Sequence, residues 1–290
     1  GGRLNDDAAA SKDVHELGHD GSSPSTSTTR DLPRGQTWES LISTVQLMPS
    51  PNVPSSGAKN GAASSGQKIG IIGTGNMGRL LGALWAELGH EVLFGARDVA
   101  RAREAAALCP ARSRSGTNDE AAAFGELVYL NPRDVPMREL LARPDVLDGK
   151  IVVDSHNGPM PRPFELLAPA RSRSELLQAE LPKARVVKAF NTMAQEVFDA
   201  CPERIAPAHI SVFVAGDDDE ARTTVMRLAS EMGFVPVDCG GIASARLLEV
   251  LGDLARSFIG ARSDLRTTFS VHSAPEGVAR FGPRAPSRLP

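Results

Sequence analysis

Three glycines, Gly73, Gly75 and Gly78, stand at G-x-G-x-x-G spacing directly after the β-branched run from Lys68 to Ile72. The spacing suits one kind of chemistry. The first glycine allows a tight turn, the second lets backbone approach a diphosphate, and the third lets a helix pack close to a strand. The helix that must follow presents unpaired N–H groups and partial positive charge to an anion. Met77, Leu80, Leu81, Leu84 and Leu88 recur at helical spacing and predict one buried face. Gly89 is placed to cap the helix, and Val92 to Phe94 read as a second strand. With a strand before it and a helix and strand after it, the glycine turn predicts a dinucleotide site. A glycine-rich turn that binds nothing is the disfavoured alternative.

The end of the second strand bears on which dinucleotide. A chain that binds NAD usually places Asp or Glu there, on both ribose hydroxyls. This chain places Gly95, Ala96 and Arg97, with Arg101 one helical turn later. A small residue leaves room for a 2′-phosphate, and a guanidinium binds phosphate in a bidentate way. Asp98 lies past the strand tip, where it is expected to cap the next helix. The pattern favours NADP(H) over NAD.

Composition narrows the rest. The 290 residues carry a formal net charge of −3 and are 41% hydrophobic, so no nucleic-acid footprint is indicated. No run of roughly 18 apolar residues occurs, so no membrane span is expected. Cys109, Cys201 and Cys239 lie far apart. That spacing argues against a metal or disulfide framework and for reduced thiols in a cytoplasmic protein.

Along the chain, residues 1–67 read as a disordered segment rich in Ser, Pro, Gly and Thr, interrupted by an apolar island around Trp38. From Lys68 strands and helices alternate, which predicts an α/β fold: a Rossmann-type doubly wound parallel sheet over 68–193. Expected strands include Leu127–Leu130, Ile151–Asp154 and Val186–Phe190. The loop Ser155-His156-Asn157 follows one of them, at the sheet edge where ligands bind. A small C-terminal α/β extension is expected over 194–263, and 264–290 reads as a disordered tail. Asp217, Asp218, Asp219 and Glu220 are read as a helix cap, and no metal is expected.

The runs I-G-T-G-N-M-G, G-A-R-D, V-V-K-A-F-N-T-M, V-A-G-D-D-D-E-A and G-F-V-P-V-D-C-G, in that order, resemble the NADP oxidoreductases dependent on the deazaflavin coenzyme F-420. They equally resemble the cytosolic oxidoreductase domain of the six-transmembrane ferric and cupric reductases. The resemblance spans about Lys68 to Ile259. It implies hydride transfer between NADP(H) and a small-molecule acceptor with a flavin or deazaflavin ring. It implies Gly73, Thr74, Gly75, Asn76, Met77 and Gly78 at the pyrophosphate, and Ala96, Arg97 and Arg101 at the 2′-phosphate. It also implies Asn131 and Pro132 beside a ribose, and Ser155, His156, Asn157, Ala189, Phe190 and Asn191 around the nicotinamide. The chain departs from the family in N-P-R-D after Leu130, where I-P-W is often seen, and in Ala96, where a hydroxyl residue is often seen.

Such a transfer needs little acid–base chemistry from protein, because the cofactors carry it. His156 is the one histidine expected at the site edge and the one catalytic candidate, with a polar loop histidine as the plainer alternative. Two rival readings stay open: an NADPH-dependent imine or carbonyl reductase of the pyrroline-carboxylate or hydroxyacid type, and a non-enzymatic NADPH-binding module. The first usually brings a large helical C-terminal domain, whereas about 70 residues separate Thr192 from Ser263 here. A homodimer is compatible with each.

Overall fold

The computed structural model describes residues 66–130, 132, 135–159 and 170–273. The N-terminal expectations up to residue 65, with the Trp38 island, lie outside the described residues, as do Asn131 and the tail beyond 273.

One sheet organises the fold. Its strands are β1 (Lys68–Ile72), β2 (Glu91–Gly95), β3 (Ser113–Gly116), β4 (Leu127–Leu130), β5 (Ile151–Asp154), β6 (Arg185–Lys188), β7 (Ser211–Gly216) and β8 (Val235–Asp238). Their order is β3-β2-β1-β4-β5-β6-β7-β8. The first six strands run parallel in the doubly wound Rossmann order, which reverses between β1 and β4. β7 joins β6 antiparallel and β8 joins β7 parallel, so the C-terminal unit extends the same sheet. The parallel sheet expected over 68–193 and the small C-terminal α/β extension are both present, the extension adding two strands to the sheet's edge.

The helices are α1 (Asn76–Glu87), α2 (Val99–Ala106), α3 (Asn118–Phe124), α4 (Met137–Leu140), α5 (Arg173–Glu180), α6 (Pro202–Ile205), α7 (Asp219–Glu231) and α8 (Ala245–Arg262). Side chains start several of them, Asp98 as the sequence implies and, within the acidic cluster, Asp218. Asp98 accepts from the Ala100 amide, Asp218 accepts from the Ala221 amide, and Thr117 with Glu120 and Ser172 with Glu175 form capping boxes.

Three expectations need correction. The buried face of α1 is not the run of leucines alone. Leu81 and Leu84 are buried, but Leu88 is exposed and Trp85 is fully enclosed. Trp85 meets the rings of Tyr129 and Phe190 edge-on, each at 6.1 Å, and Phe190 continues to Phe198 at 6.3 Å. The strand expected to reach Phe190 stops at Lys188, because Phe190 takes a left-handed φ of 60°. Residues 264–273, read as tail, stay attached: the Ser211 amide donates to Phe269 O at 2.9 Å and the Val271 amide to Ser211 Oγ at 3.0 Å.

Trp85→Ala is expected to destabilise the fold by about 3–5 kcal/mol in urea unfolding, whereas Leu88→Ala should stay within about 0.5 kcal/mol. Equal losses at both positions would contradict this account of the α1 face.

Candidate active site

The glycine turn forms as its spacing requires. Gly73 adopts φ 91°, a conformation L side chains rarely take, and its amide donates to Gly95 O at 2.9 Å. α1 then opens at Gly75 with no side-chain cap and no acid in its first turn. Gly75 and Asn76 are exposed, Thr74 and Met77 half-buried, and Gly78 buried. The end of β2 puts Ala96 in the core and leaves Arg97 and Arg101 exposed. Asp98 is committed to its cap. This donor set, an uncapped helix N-terminus followed by two exposed guanidiniums past a small residue, fits a dinucleotide carrying a 2′-phosphate.

The β5 and β6 loops meet at one cavity of about 320 Å³. Met77 of α1, Ser155, His156 and Asn157 after β5, Phe190 and Asn191 after β6, and Gly252 and Arg256 of α8 line it. Ala189 is fully buried in the core and does not line it. Pro132 lines a second cavity of about 440 Å³ on the α4–α5 side, which shares His156 with the first.

The two loops are bonded to each other. Asn157 Nδ2 donates to Asn191 O at 2.6 Å, and Asn191 Nδ2 donates to Asn157 Oδ1 and to Leu248 O, both at 2.7 Å. Position 252 of α8 must be glycine for this arrangement, since a Cβ there would sit 2.5 Å from Asn157 Nδ2. One turn further on, Arg256 Nη1 donates to Gly158 O at 3.1 Å. Residues 248, 252 and 256 lie on one face of α8, so three successive turns hold the loops. Tyr129 Oη and Ser155 Oγ share a hydrogen bond of 2.5 Å behind the first loop.

Beneath them lies Lys188, fully buried. It pairs in register with Asp154 on β5. Its ammonium donates to Asp154 Oδ2 at 3.0 Å, to Glu249 Oε1 at 2.9 Å and to His156 O. An ammonium has three protons, and all three are used. Asp154 also accepts from Ser174 Oγ at 2.7 Å and from the His156 amide at 2.8 Å. Glu249 also accepts from the Arg173 amide at 2.8 Å. Arg246 on the same helix forks onto Glu175 at 2.6 and 2.7 Å.

Burial opposes ionisation of Asp154, but Lys188, Ser174 and the His156 amide together hold its carboxyl below the ordinary range. Burial pushes the Glu249 carboxyl up, Lys188 offsets this only in part, and Asp154 adds to the rise. Burial likewise pushes the Cys239 thiol up to about 11, which argues against a thiolate nucleophile there. No cluster of metal-ligating side chains occurs among the described residues.

A doubly wound sheet with this glycine turn, two exposed guanidiniums past β2 and a shared strand-end cavity is the architecture of the NADP-dependent oxidoreductase class. The chain belongs to the coenzyme F420-dependent NADP oxidoreductase family, whose model matches residues 68–158. A solved structure from Arthrobacter sp. FB24, assigned provisionally as an F420-dependent NADP-reductase, is 31% identical. The match covers 72% of this chain and 100% of that one, with a TM-score of 0.62. Rat metalloreductase STEAP3 is 32% identical over 199 residues, which are 69% of this chain but 39% of the relative, so the chain spans about two fifths of that protein's length. The F420-dependent NADP reductase of Methanocaldococcus jannaschii is 29% identical over 205 residues, covering 64% of this chain and 90% of the relative. Among the described residues, no helix is long and apolar enough to cross a membrane.

Lys188, Glu249, Tyr129, Gly252 and Arg256 carry no sequence signal of their own as site residues. A lysine inside V-V-K-A-F was the one local oddity available, since a charge in a buried strand must find a partner.

A carboxyl with a raised pKa stabilises the fold while protonated. Glu249's contribution is therefore complete below its ordinary value of 4.5 and lost as pH rises through the raised value. Asp154 acts oppositely, contributing above 3.8 and losing that contribution on acidification through its lowered value. The stability of the wild type relative to Glu249→Gln should therefore fall as pH rises from 4.5 toward neutrality, as read by urea unfolding across that range. A pH-independent difference between the two would contradict the assigned direction.

Proposed function

We propose that this chain transfers a hydride between NADP(H) and a small planar acceptor of the flavin or deazaflavin type, in the cavity between the Ser155 loop, the Asn191 turn and α8. The observation that carries the proposal is that two strand-end loops and Met77, on the phosphate-binding helix, line one cavity. A dinucleotide running from the glycine turn toward the β5 and β6 ends would reach it. When bound, the nicotinamide supplies the hydride from its ring C4.

The chain's own residues bind, orient and shield. Backbone amides over Gly73–Gly78, with Thr74 and Asn76, receive the pyrophosphate. Arg97 and Arg101 hold the 2′-phosphate, and Ala96 leaves it room. Pro132 flanks the ribose side. Met77 and Phe190 supply apolar walls that exclude water, which favours hydride over proton exchange with solvent. Asn157 and Asn191 fix the loop edges against α8, so the two rings meet without first ordering the loops. His156, pinned through its amide and its carbonyl, lines both cavities. There it can bond the nicotinamide amide or exchange a proton with the reduced acceptor.

The relatives named as F420-dependent NADP reductases support the acceptor class. The test is NADPH oxidation by the purified chain with a deazaflavin, FMN, FAD, ferric chelates and cyclic imines. Turnover with deazaflavin or flavin supports the proposal. Turnover with a cyclic imine and with no flavin-type ring overturns it.

Cofactor choice should rest on Arg97. A charge-assisted pair contributes roughly 1.5–3 kcal/mol, so Arg97→Ala should weaken NADPH roughly ten- to a hundredfold and leave NADH nearly unchanged. Arg101→Ala should act in the same direction but less. Titration of both cofactors decides, and equal weakening of NADH by Arg97→Ala would contradict the assignment.

A further inference from the structure

Five of the exposed large apolar side chains among the described residues fall between 247 and 271: Leu247, Leu254, Phe258, Leu265 and Val271. Three of them belong to α8, and Leu247 is 59% exposed. The opposite face of α8 lines the cavity through Gly252, Ala255, Arg256 and Ile259. On the outer face, Leu247, Leu251, Leu254, Phe258 and Ala261 follow one another at alternating spacings of four and three residues. That is the spacing of a seam on which a second helix packs. The five residues, with Val250 and Ser257, form a stripe about 120° wide at the 3.6 residues per turn of a helix.

The stripe carries no charge. Ser257 is its one polar side chain, and its hydroxyl is committed to Asp253 O at 3.0 Å. Arg246 and Asp253 lie beyond one border and Arg262 beyond the other. Arg246 is forked onto Glu175, and Asp253 pairs with Arg256. The segment after α8 widens the apolar surface: the Phe269 ring lies 6.3 Å from that of Phe258. That segment is held on Ser211 by two hydrogen bonds. A contiguous apolar face of this kind, rimmed by polar residues, marks a docking surface.

The chemistry of the stripe selects the occupant. A two-fold interface sets one patch against itself, so any charge in the patch would meet its like. An uncharged seam escapes that penalty. Side-chain sizes suit self-pairing as well. In an antiparallel pair centred on Leu254, Leu247 of one copy lies beside the small Ala261 of the other, and Leu251 beside Phe258. The antiparallel arrangement also sets each helix N-terminus beside the other's C-terminus, which the helix dipoles favour. A lipid surface instead selects a helix bordered by Lys and Arg. Here one border carries an acid and an arginine already paired.

We propose that a second copy of this chain docks on the outer stripe of α8, with the two helices antiparallel about a two-fold axis at Leu254. The hydride-transfer reading does not depend on it. An 18-residue helix is about 27 Å long, so two such faces with the Phe269 segments bury on the order of 1,000 Å², the low end for a specific interface. The dimer is therefore reversible, with a dissociation constant in the micromolar range. In it α8 stands between the partner on one face and the cavity on the other.

The experiment is sedimentation velocity of the full chain from low to hundreds of micromolar. The wild type should move from the 30.7 kDa of one chain toward twice that mass as concentration rises. Leu254→Glu sets like charges face to face and should weaken association roughly tenfold or more, as should Leu254→Lys. An equimolar mixture of the two variants should recover the dimer, because opposite charges then meet across the axis. Ser257→Lys repeats the test at a position already exposed and polar, so no apolar contact within the chain is lost. Leu108→Glu, at an exposed leucine outside the stripe, should leave the wild-type behaviour unchanged.

A wild type that stays monomeric throughout overturns the proposal, whatever else covers the stripe: residues 1–65 of the same chain, a different protein or lipid. A dimer that survives both Leu254→Glu and Ser257→Lys places the interface elsewhere and also overturns it. Loss of the dimer in each Leu254 variant with no recovery in the mixture removes the axis from Leu254, and the proposal falls with it.

Discussion

The ammonium of Lys188 is enclosed where β5, β6 and α8 converge, and its three protons go to three different segments. A buried charge is costly unless paired and fully bonded, so the segments that supply its acceptors are constrained together. Asp154 holds the end of β5, His156 O holds the loop after it, and Glu249 holds α8. Replacing such a network by well-packed apolar groups is often neutral or stabilising in proteins. Its value here is better sought in geometry than in net stability, because it joins the loops that line the cavity to the helix that closes it.

That constraint explains features that look unrelated. Phe190 keeps a left-handed backbone because the chain must turn sharply between Lys188, fixed from below, and Asn191, fixed to α8 from above. Strain of that kind persists only where the surroundings over-determine it. Glycine at 252 is required by the seated Asn157 amide. The Arg246–Glu175 fork and the Glu249–Arg173 bond tie α5 to α8, so the second cavity, on the α4–α5 side, shares the same support. The glycine-turn end is built differently, from backbone conformation at Gly73 and the exposed guanidiniums of Arg97 and Arg101, and needs no such network.

The two ends differed accordingly in how readable they were. The glycine turn, β1, β4, β5, the Asp98 cap and the arginines past Ala96 depend on neighbours within a few residues, so local spacing shows them. β3 was missed because Ser-Arg-Ser-Gly is a polar edge strand with no apolar alternation to reveal it. The antiparallel join of β7 to β6 leaves no mark in either strand. Trp85 was passed over for the more periodic leucines, although the large ring takes the enclosed position. Glu249 reads as one more polar residue on an amphipathic helix. Only its partner 61 positions away shows that it faces inward. The family resemblance pointed to the Asn157 and Asn191 loops, but it gave no reason to expect them to bond each other before any ligand.

The central claim is that Lys188 makes the β5 loop and α8 one cooperative unit. Two amides report on it directly: His156 N, bonded to Asp154, and Arg173 N, bonded to Glu249. Native-state hydrogen exchange of both in increasing urea tests the claim, since elements of one cooperative unit open with one free energy and one denaturant dependence. The account predicts that the two amides, and those of α8 from 248 to 256, merge onto a single opening isotherm. Exchange of α8 and Arg173 through a separate opening of lower energy, with His156 still protected, would contradict it.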